Sequence, residues 1–323
     1  MDSPVIAVAN QKGGVGKTTT AINLSACLAE RRKRVLLIDL DPQSNATSGL
    51  GVEQRAGHSL YPVLLGEKSI RDFIQPTEVK RLDLLPAEVD LAGAEVDIAR
   101  SEHYLHPFKN ALQPLREEEQ PYDFILVDCP PSLGILTMNA LTAAQGLLIP
   151  IQCEYYALEG LSVMARLVRQ LRESGANPDL DIAGIVMTMY DMRTNLSQQV
   201  VQEVAAHFAD KVFETLIPRS VRLSEAPSFG RPIIQYDRHC TGSVAYRNLA
   251  KEFLRRHRNG AASDALRQTA DPAEETEEAA MPFRPESNAV PASPAGTEPG
   301  APAETTGPAV ETPGFDPDIP RTE

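Results

Sequence analysis

The sequence predicts an α/β fold with a doubly wound, mostly parallel sheet. Short apolar segments rich in β-branched residues alternate with helical patterns along the chain, and most of these segments lack a polar face. Strands that are apolar on both faces are typical of a parallel sheet with helices on each side. We expect one folded domain over residues 1–258 and a separate C-terminal tail over residues 259–323.

The order of predicted elements supports this architecture. Continuous apolar runs predict strands at 5–9, 35–38, 83–85, 124–127, 147–151, 182–188 and 212–217. Apolar residues spaced by three and four predict helices at 18–31, 136–144, 158–173, 196–208 and 243–258. Because strands and helices alternate, the chain can return to a parallel strand after each helix.

Charge and composition separate the tail from the body. Residues 271–323 contain twelve acidic and two basic residues and eleven of the 26 prolines. Such a segment buries too little apolar surface to offset the entropy lost on ordering, so we predict that it is disordered. The remaining chain carries only about −3 of the formal net charge of −13, so nucleic acid remains a possible partner of the body.

The sequence also predicts the cellular compartment. No apolar run approaches the roughly 18 residues of a membrane helix, and the N-terminus lacks the pattern of a signal peptide. The four cysteines contain no CxxC pair, which argues against a zinc or thioredoxin-like site. We therefore expect a cytoplasmic protein.

A glycine-rich segment between the first predicted strand and helix predicts a phosphate-binding loop. It reads NQKGGVGKTTT over residues 10–20. Glycines allow backbone N–H groups to converge on phosphate oxygens, and a helix N-terminus adds partial positive charge. Lys17 would place its ammonium group near the β- and γ-phosphates, and Thr18 would offer a hydroxyl to Mg²⁺.

The loop departs from the general GxxxxGK[ST] pattern. Gln11 occupies the first glycine position, and a second lysine, Lys12, precedes Lys17 by five residues. KGGVGKTT resembles the deviant Walker A motif of the ParA/MinD class of P-loop ATPases. This resemblance implies the cofactors ATP and Mg²⁺ and an ATP-sandwiched homodimer, in which Lys12 reaches the nucleotide of the partner subunit and neutralises charge on the transferring phosphoryl group. The resemblance assigns nucleotide contacts to Lys12, Gly13, Gly14, Val15, Gly16, Lys17, Thr18 and Thr19.

Carboxylates follow two of the predicted strands, where ligands bind in open α/β sheets. Asp39 and Asp41 follow the strand at 35–38, and Asp128 follows the strand at 124–127 as in a Walker B motif. By resemblance, Asp41 orients the attacking water and Asp39 supports it, while Asp128 holds Mg²⁺ through water. The predicted catalytic residues are Lys12, Lys17 and Asp41.

Four further segments narrow the resemblance. They are DCPPSLGILTMNAL, PIQCEYYALEGL, TMYDMRTNLSQQV and IPRSVRLSEAPSFGRPI. Together with the loop, they are similar to the chromosomal, Soj-type ParA partitioning ATPases over roughly residues 5–258. The resemblance implies weak intrinsic ATPase activity, nonspecific binding of double-stranded DNA through Arg193 and Arg222, and adenine contacts from Pro218 and Arg219. It also implies a ParB/Spo0J-like centromere-binding partner and a nucleoid location.

Basic residues near the end of the folded region are further candidates for phosphate contacts. They are Arg219, Arg231, Arg247, Lys251, Arg255, Arg256 and Arg258.

Other functions remain open. A MinD-like, membrane-associated positioning ATPase needs an amphipathic C-terminal helix, for which 248–258 is a weak candidate before a repelling acidic tail. We expect no stable membrane association. A relative of the nitrogenase iron protein needs a second cluster cysteine after Cys129, with glycine-rich flanks, which the sequence does not offer. An ATP-switched scaffold for another large cargo is compatible with the sequence.

Overall fold

Seven strands form one sheet in the computed structural model, which describes residues 3–116 and 121–269. The strands are β1 (Val5–Val8), β2 (Val35–Asp39), β3 (Gln75–Pro76), β4 (Leu82–Leu85), β5 (Phe124–Asp128), β6 (Gly146–Gln152) and β7 (Asp181–Thr188). Their order is β3-β4-β2-β5-β1-β6-β7, and every neighbouring pair is parallel except β3 with β4. This confirms the predicted fold class, although the short edge strand β3 was not predicted.

Helices connect the strands. They are α1 (Lys17–Glu30), α2 (Asn45–Gly49), α3 (Tyr61–Leu64), α4 (Leu91–Ala99), α5 (Pro107–Ala111), α6 (Gln113–Arg116), α7 (Ile135–Ala143), α8 (Ala157–Glu173), α9 (Asn195–Phe208), α10 (Val221–Glu225), α11 (Ile233–Tyr236) and α12 (Thr241–Thr269). Short 3₁₀ turns span Ile70–Phe73, Ala209–Lys211 and Ala226–Phe229. The five predicted helices correspond to α1, α7, α8, α9 and α12. No helix of the described residues is long and apolar enough to cross a membrane.

The end of α12 lies beyond the predicted limit of the folded domain, because the helix continues to Thr269. The predicted disorder of the tail concerns mainly residues 270–323, which lie outside the described residues. The domain boundary therefore stays a prediction.

The sheet separates two hydrophobic cores. Alternate residues of β1 enter different cores: Val5 faces the one that contains Leu161 of α8, and Ile6 faces the one that contains Leu24 of α1 and Phe253 of α12. Side chains of a strand point alternately to opposite faces, so helices on both faces explain why the strand sequence is apolar throughout. The carboxyl ends of the parallel strands remain as the edge available to a ligand.

The predicted strand at 212–217 is wrong. The segment lies along β7, where the N–H groups of Phe213 and Ile217 each donate to a β7 carbonyl at 2.9 Å, but it forms only isolated bridges. The intervening N–H groups of Glu214 and Thr215 instead donate to the Glu252 carboxylate of α12, at 2.9 and 3.0 Å. A side chain of α12 thus accepts hydrogen bonds from N–H groups that would otherwise pair with a neighbouring strand.

Candidate functional site

The predicted phosphate loop joins β1 to α1 at the carboxyl edge of the sheet, between β5 and β6. Gly14 and Gly16 have φ angles of +74° and +87°, a region that side chains other than glycine rarely adopt. A Cβ on Gly14 would meet no atom within 4 Å, so backbone conformation rather than space requires glycine there. Gly16 directly precedes α1, and the first N–H groups of that helix can face an anion.

Two buried polar side chains outside the motif hold the loop in place. The Asn10 amide donates to the Pro150 carbonyl of β6 at 2.8 Å, and its Oδ1 accepts from the Lys12 N–H at 3.1 Å. The Thr188 hydroxyl, at the end of β7, donates to the Val15 carbonyl at 2.8 Å. Sequence reasoning missed both roles. The sequence could have indicated these roles through position, because Asn10 borders the motif and Thr188 ends a predicted strand.

The two lysines of the loop lie in different environments. Lys17 is buried, and its Nζ donates to the Lys12 carbonyl at 3.2 Å. Burial lowers the Lys17 pKa below its ordinary value, while the neighbouring Asp128 acts to raise it. The Lys12 side chain is 48% exposed, with its Nζ 2.7 Å from Glu154 Oε2. Lys17 therefore faces the carboxylates beneath the loop, and Lys12 lies at the rim.

Asp128 is a buried carboxylate without a hydrogen bond of normal geometry. It ends β5 in register with Asp39 at the end of β2, and neither of its oxygens has a hydrogen-bond partner among the described residues. Burial, reinforced by the charge of Asp39, raises the pKa of Asp128 well above its ordinary value, although Thr18 and Lys17 are near enough to oppose this. An orphaned buried carboxylate beside a hydroxyl suits a Mg²⁺ ion held through water.

Asp39 supports the loop that carries Asp41. Its carboxylate accepts from the N–H and hydroxyl of Thr47, at 2.8 and 2.7 Å, and from the Asp41 N–H at 3.2 Å. Burial raises the pKa of Asp39 to about 6 despite these bonds. Asp41 is also buried, and its Oδ1 accepts from the Gln43 N–H at 3.0 Å. Asp39 therefore holds the Asp41 loop in place, and the predicted water-orienting role of Asp41 stays a prediction.

Two clefts contain residues that the sequence predicts to bind nucleotide. One of about 430 Å³ is lined by Thr18 and Thr19 of α1 and by Arg231. A separate cleft of about 770 Å³ contains Pro218 together with several basic residues of α12. Its basic lining residues are Lys251, Arg255 and Arg258. The structure therefore does not bring Pro218 and Thr18 into one cleft, and the predicted adenine contacts of Pro218 and Arg219 stay a prediction.

The two arginines predicted to contact DNA reach solvent but have acidic neighbours. Arg193 is 84% exposed and donates from Nε and Nη2 to the two oxygens of Asp191, at 2.9 and 2.7 Å. The hydrogen bonds from Arg193 lower the pKa of Asp191 to about 2. Arg222 is 56% exposed, with its Nη1 3.1 Å from Glu225. Both guanidinium groups are accessible to another anion.

Three of the further basic candidates are engaged in the fold, of which Arg255 donates from Nη2 to Glu214 at 3.2 Å and stays half exposed. Arg247 donates from Nε and Nη2 to Glu30 of α1, at 2.7 and 3.0 Å. Arg256 stacks over the Phe213 ring at 4.3 Å and donates to Glu252. These guanidinium groups attach α12 to its neighbours, so they are poorer candidates for DNA contacts than Arg193 and Arg222.

Comparisons with known proteins identify the family. Residues 3–182 match the model of an AAA domain. The chromosome partitioning protein ParA of Caulobacter vibrioides is 50% identical over 262 residues, covering 81% of this chain and 97% of that protein. The sporulation initiation inhibitor protein Soj of Bacillus subtilis is 53% identical over 249 residues, covering 77% and 97%. The chain belongs to the ParA/Soj family of chromosome-partitioning ATPases.

Similar solved structures are consistent with this family assignment. A Mycobacterium smegmatis protein named cobyrinic acid a,c-diamide synthase, solved with ADP and magnesium, is 37% identical with a TM-score of 0.69, covering 80% of this chain and 96% of that one. The cell division ATPase MinD of Pyrococcus furiosus is 27% identical with a TM-score of 0.65, covering 78% and 99%. The predicted family, P-loop fold, ATPase class and cofactors ATP and Mg²⁺ are confirmed.

Proposed function

We propose that this ParA/Soj-family ATPase dimerises on ATP, binds double-stranded DNA without sequence preference, and hydrolyses ATP under stimulation by a ParB-like partner to segregate a chromosome or plasmid. The observation that carries the proposal is the phosphate loop with one buried and one half-exposed lysine above the orphaned Asp128 carboxylate. Lys17 and Asp128 suit the binding of a Mg²⁺-nucleotide, and the half-exposed Lys12 is free of the site's interior and can serve a second subunit.

The chain's own residues suggest how the triphosphate is held. The N–H groups at the start of α1 bind phosphate oxygens, and Lys17 supplies a buried positive charge beside them. Thr18 and Asp128 hold Mg²⁺, which when bound neutralises charge on the β- and γ-phosphates. Asp41 accepts a hydrogen bond from the attacking water and orients it for in-line displacement, and Asp39 keeps the Asp41 loop in place.

A second subunit completes the proposed site. Lys12 lies at the rim of the loop and is half exposed, so its ammonium group can contribute to a nucleotide bound across a dimer interface. Charge supplied in this way is present only in the dimer, which couples dimerisation to hydrolysis. Dimerisation also doubles the surface that carries Arg193 and Arg222, and makes DNA affinity depend on nucleotide.

DNA binding of this kind depends on phosphate contacts. Arg193 and Arg222 are the proposed contacts, because both guanidinium groups are largely exposed. Arginine contacts to phosphate carry no base preference, and their contribution falls steeply with salt. We propose that the working protein lies on the nucleoid in the cytoplasm, without stable membrane association.

DNA binding measured under three nucleotide conditions tests the dimer switch and the DNA contacts of this proposal. Random-sequence duplex DNA is titrated at fixed salt with ATP, with ADP and without nucleotide, using the wild type and Lys12→Ala. We expect ATP-dependent binding that Lys12→Ala abolishes. Binding that ignores nucleotide or Lys12 would contradict the dimer switch. Arg193→Ala and Arg222→Ala then test the DNA contacts, and unchanged binding in both would remove them from the proposal.

The relatives' names suggest a further control. Because one solved relative is named as an amide synthase and another as a cell division ATPase, ATP turnover is also measured with glutamine plus a polycarboxylic acid, and pelleting is measured with anionic liposomes. Turnover that requires the carboxylic acid, or ATP-dependent pelleting with liposomes, would replace the partitioning role.

A further inference from the structure

A carboxylate that follows β6 holds Lys12 within its own protomer. Lys12 Nζ lies 2.7 Å from Glu154 Oε2, and Glu154 Oε1 accepts a hydrogen bond of 2.5 Å from the Gln152 amide. Gln152 is the last residue of β6, so the carboxylate is oriented from the sheet itself. Both oxygens of Glu154 are thus engaged within one chain.

The backbone on both sides of the ion pair is also fixed. The Lys12 N–H donates to Asn10 Oδ1 at 3.1 Å, and the Asn10 amide is bonded to the Pro150 carbonyl at 2.8 Å. The Glu154 N–H donates to the Gln152 carbonyl at 2.8 Å. Two anchored backbones therefore present the ammonium group and the carboxylate to each other, which lowers the entropy cost of pairing.

The ion pair is nevertheless exposed enough to exchange partners. The side chains of Lys12 and Glu154 are 48% and 43% exposed. Exposed ion pairs are weak and are screened further by salt. A triphosphate carries several negative charges and accepts hydrogen bonds more strongly than one carboxylate, so it can displace Glu154 from Lys12.

We propose that Glu154 is a positioning residue that retains Lys12 until a triphosphate bound to a second copy of the chain competes for the same ammonium group. This inference rests on the proposed ATP-dependent dimer. Because Lys12 must leave Glu154 before it can cross the interface, the intramolecular pair raises the protein concentration at which the dimer forms. Glu154 therefore weakens dimerisation without touching the nucleotide.

Glu154→Gln tests this role, because it removes the charge and keeps the shape of the side chain. We expect the dissociation constant of the dimer, measured by sedimentation velocity with a non-hydrolysable ATP analogue and Mg²⁺, to fall about two- to five-fold at low salt. The matched control is Glu159→Gln, which removes the same charge from an exposed position in the first turn of α8 and leaves Lys12 paired. We expect the control to match the wild type.

Salt and the Lys12 background separate a charge effect from a change of fold. The difference between Glu154→Gln and the wild type should fade as salt rises from about 50 mM to about 500 mM, because screening weakens the pair in the wild type as well. In a Lys12→Ala background, where we expect no ATP-dependent dimer, Glu154→Gln should not restore one. An effect that persists without Lys12 would overturn the proposal.

A second measurement needs no dimer. Acetylation of the nucleotide-free protein, read by peptide mass mapping, should modify Lys12 faster in Glu154→Gln than in the wild type, relative to the exposed Lys68. Equal acetylation rates of Lys12 in the two proteins would overturn the role of Glu154. The same holds if the wild type dimerises and Glu154→Gln dimerises no more readily. A wild type that stays monomeric with the ATP analogue would overturn the dimer itself, and this inference with it.

Discussion

Two buried carboxylates in this molecule have opposite surroundings. Glu252 of α12 is 6% exposed and accepts hydrogen bonds from two backbone N–H groups, the Thr215 hydroxyl and the Arg256 guanidinium. Asp128 is fully buried and accepts none of normal geometry. Burial acts to raise the pKa of Glu252, but the hydrogen bonds outweigh burial and lower this pKa. At Asp128, burial and the charge of Asp39 raise the pKa.

The difference separates a structural charge from a functional one. A buried carboxylate stabilises a fold when neighbouring donors compensate its desolvation, as at Glu252. An uncompensated carboxylate costs stability and persists where a ligand supplies the missing partner. Substituting each carboxylate should therefore change stability in opposite directions.

The largest expected effect is at Glu252. Glu252→Ala leaves two backbone N–H groups and Arg256 without their acceptor, so we expect a loss of about 3 kcal/mol in the free energy of unfolding, or roughly 6–12 °C in Tm. Differential scanning calorimetry measures this. Glu203→Ala, at an exposed position of α9, is the control and should shift Tm by no more than about 2 °C. A Glu252→Ala protein as stable as this control would remove the contrast.

Asp128→Asn should have the opposite sign in the nucleotide-free protein. Because it removes an uncompensated buried charge, we expect a gain of about 1–3 kcal/mol in the free energy of unfolding. The same substitution should abolish the Mg²⁺-dependent rise in Tm that ATP produces in the wild type. Thermal unfolding with and without Mg²⁺-ATP measures both effects.

The control for Asp128→Asn is Asp123→Asn. Asp123 already accepts hydrogen bonds from Lys33 and the Arg34 N–H, so its replacement should not stabilise the protein. A nucleotide-free Asp128→Asn protein that unfolds below the wild type would show that Asp128 has a structural role.

The pH dependence of stability should distinguish the two carboxylates by a smaller effect than the substitutions do. Asp39 has a folded pKa of about 6 against an ordinary 3.8, so the folded state binds more protons between these values and stability falls as pH rises through them. The raised pKa of Asp128 acts in the same direction. Glu252 has a lowered pKa, so its contribution is present above 4.5 and is lost as pH falls through its folded pKa.

Unfolding at several pH values tests this pattern. The Tm advantage of Asp128→Asn over the wild type should shrink as pH falls, because protonation removes the same charge in the wild type. The deficit of Glu252→Ala should shrink only below pH 4.5. If the Tm differences of Asp128→Asn and Glu252→Ala from the wild type change with pH in the same way, the two carboxylates do not differ as argued.

The smallest effect is expected at a half-buried carboxylate, Asp191, whose side chain is 19% exposed. Asp191 pairs with Arg193 at the surface, so Asp191→Asn should leave Tm unchanged and free Arg193 for phosphate. We expect ATP-dependent DNA affinity to rise about two- to five-fold at low salt, and the gain to disappear at high salt. Fluorescence anisotropy across a salt series measures this. In an Arg193→Ala background the substitution should retain only the small gain from removing one negative charge.

Sequence by itself determined the sheet and the nucleotide loop. Six predicted strands and five predicted helices formed, because strands buried on both faces are apolar throughout and helices have apolar residues every three or four positions. The loop could be predicted because Gly14 and Gly16 adopt positive φ angles that few other residues allow. These are local properties of the chain.

Tertiary structure decided what depends on distant residues. The segment at 212–217 has the composition of a strand, but Glu252 takes two of its N–H groups and the Phe213 ring packs where a Cβ on Gly184 would clash. The pairing of Lys12 with Glu154 joins positions 142 residues apart. Hydrogen bonds and burial depend on neighbours in space, so the same residue type, an aspartate or a glutamate, becomes structural or functional only when the fold supplies or withholds its partners.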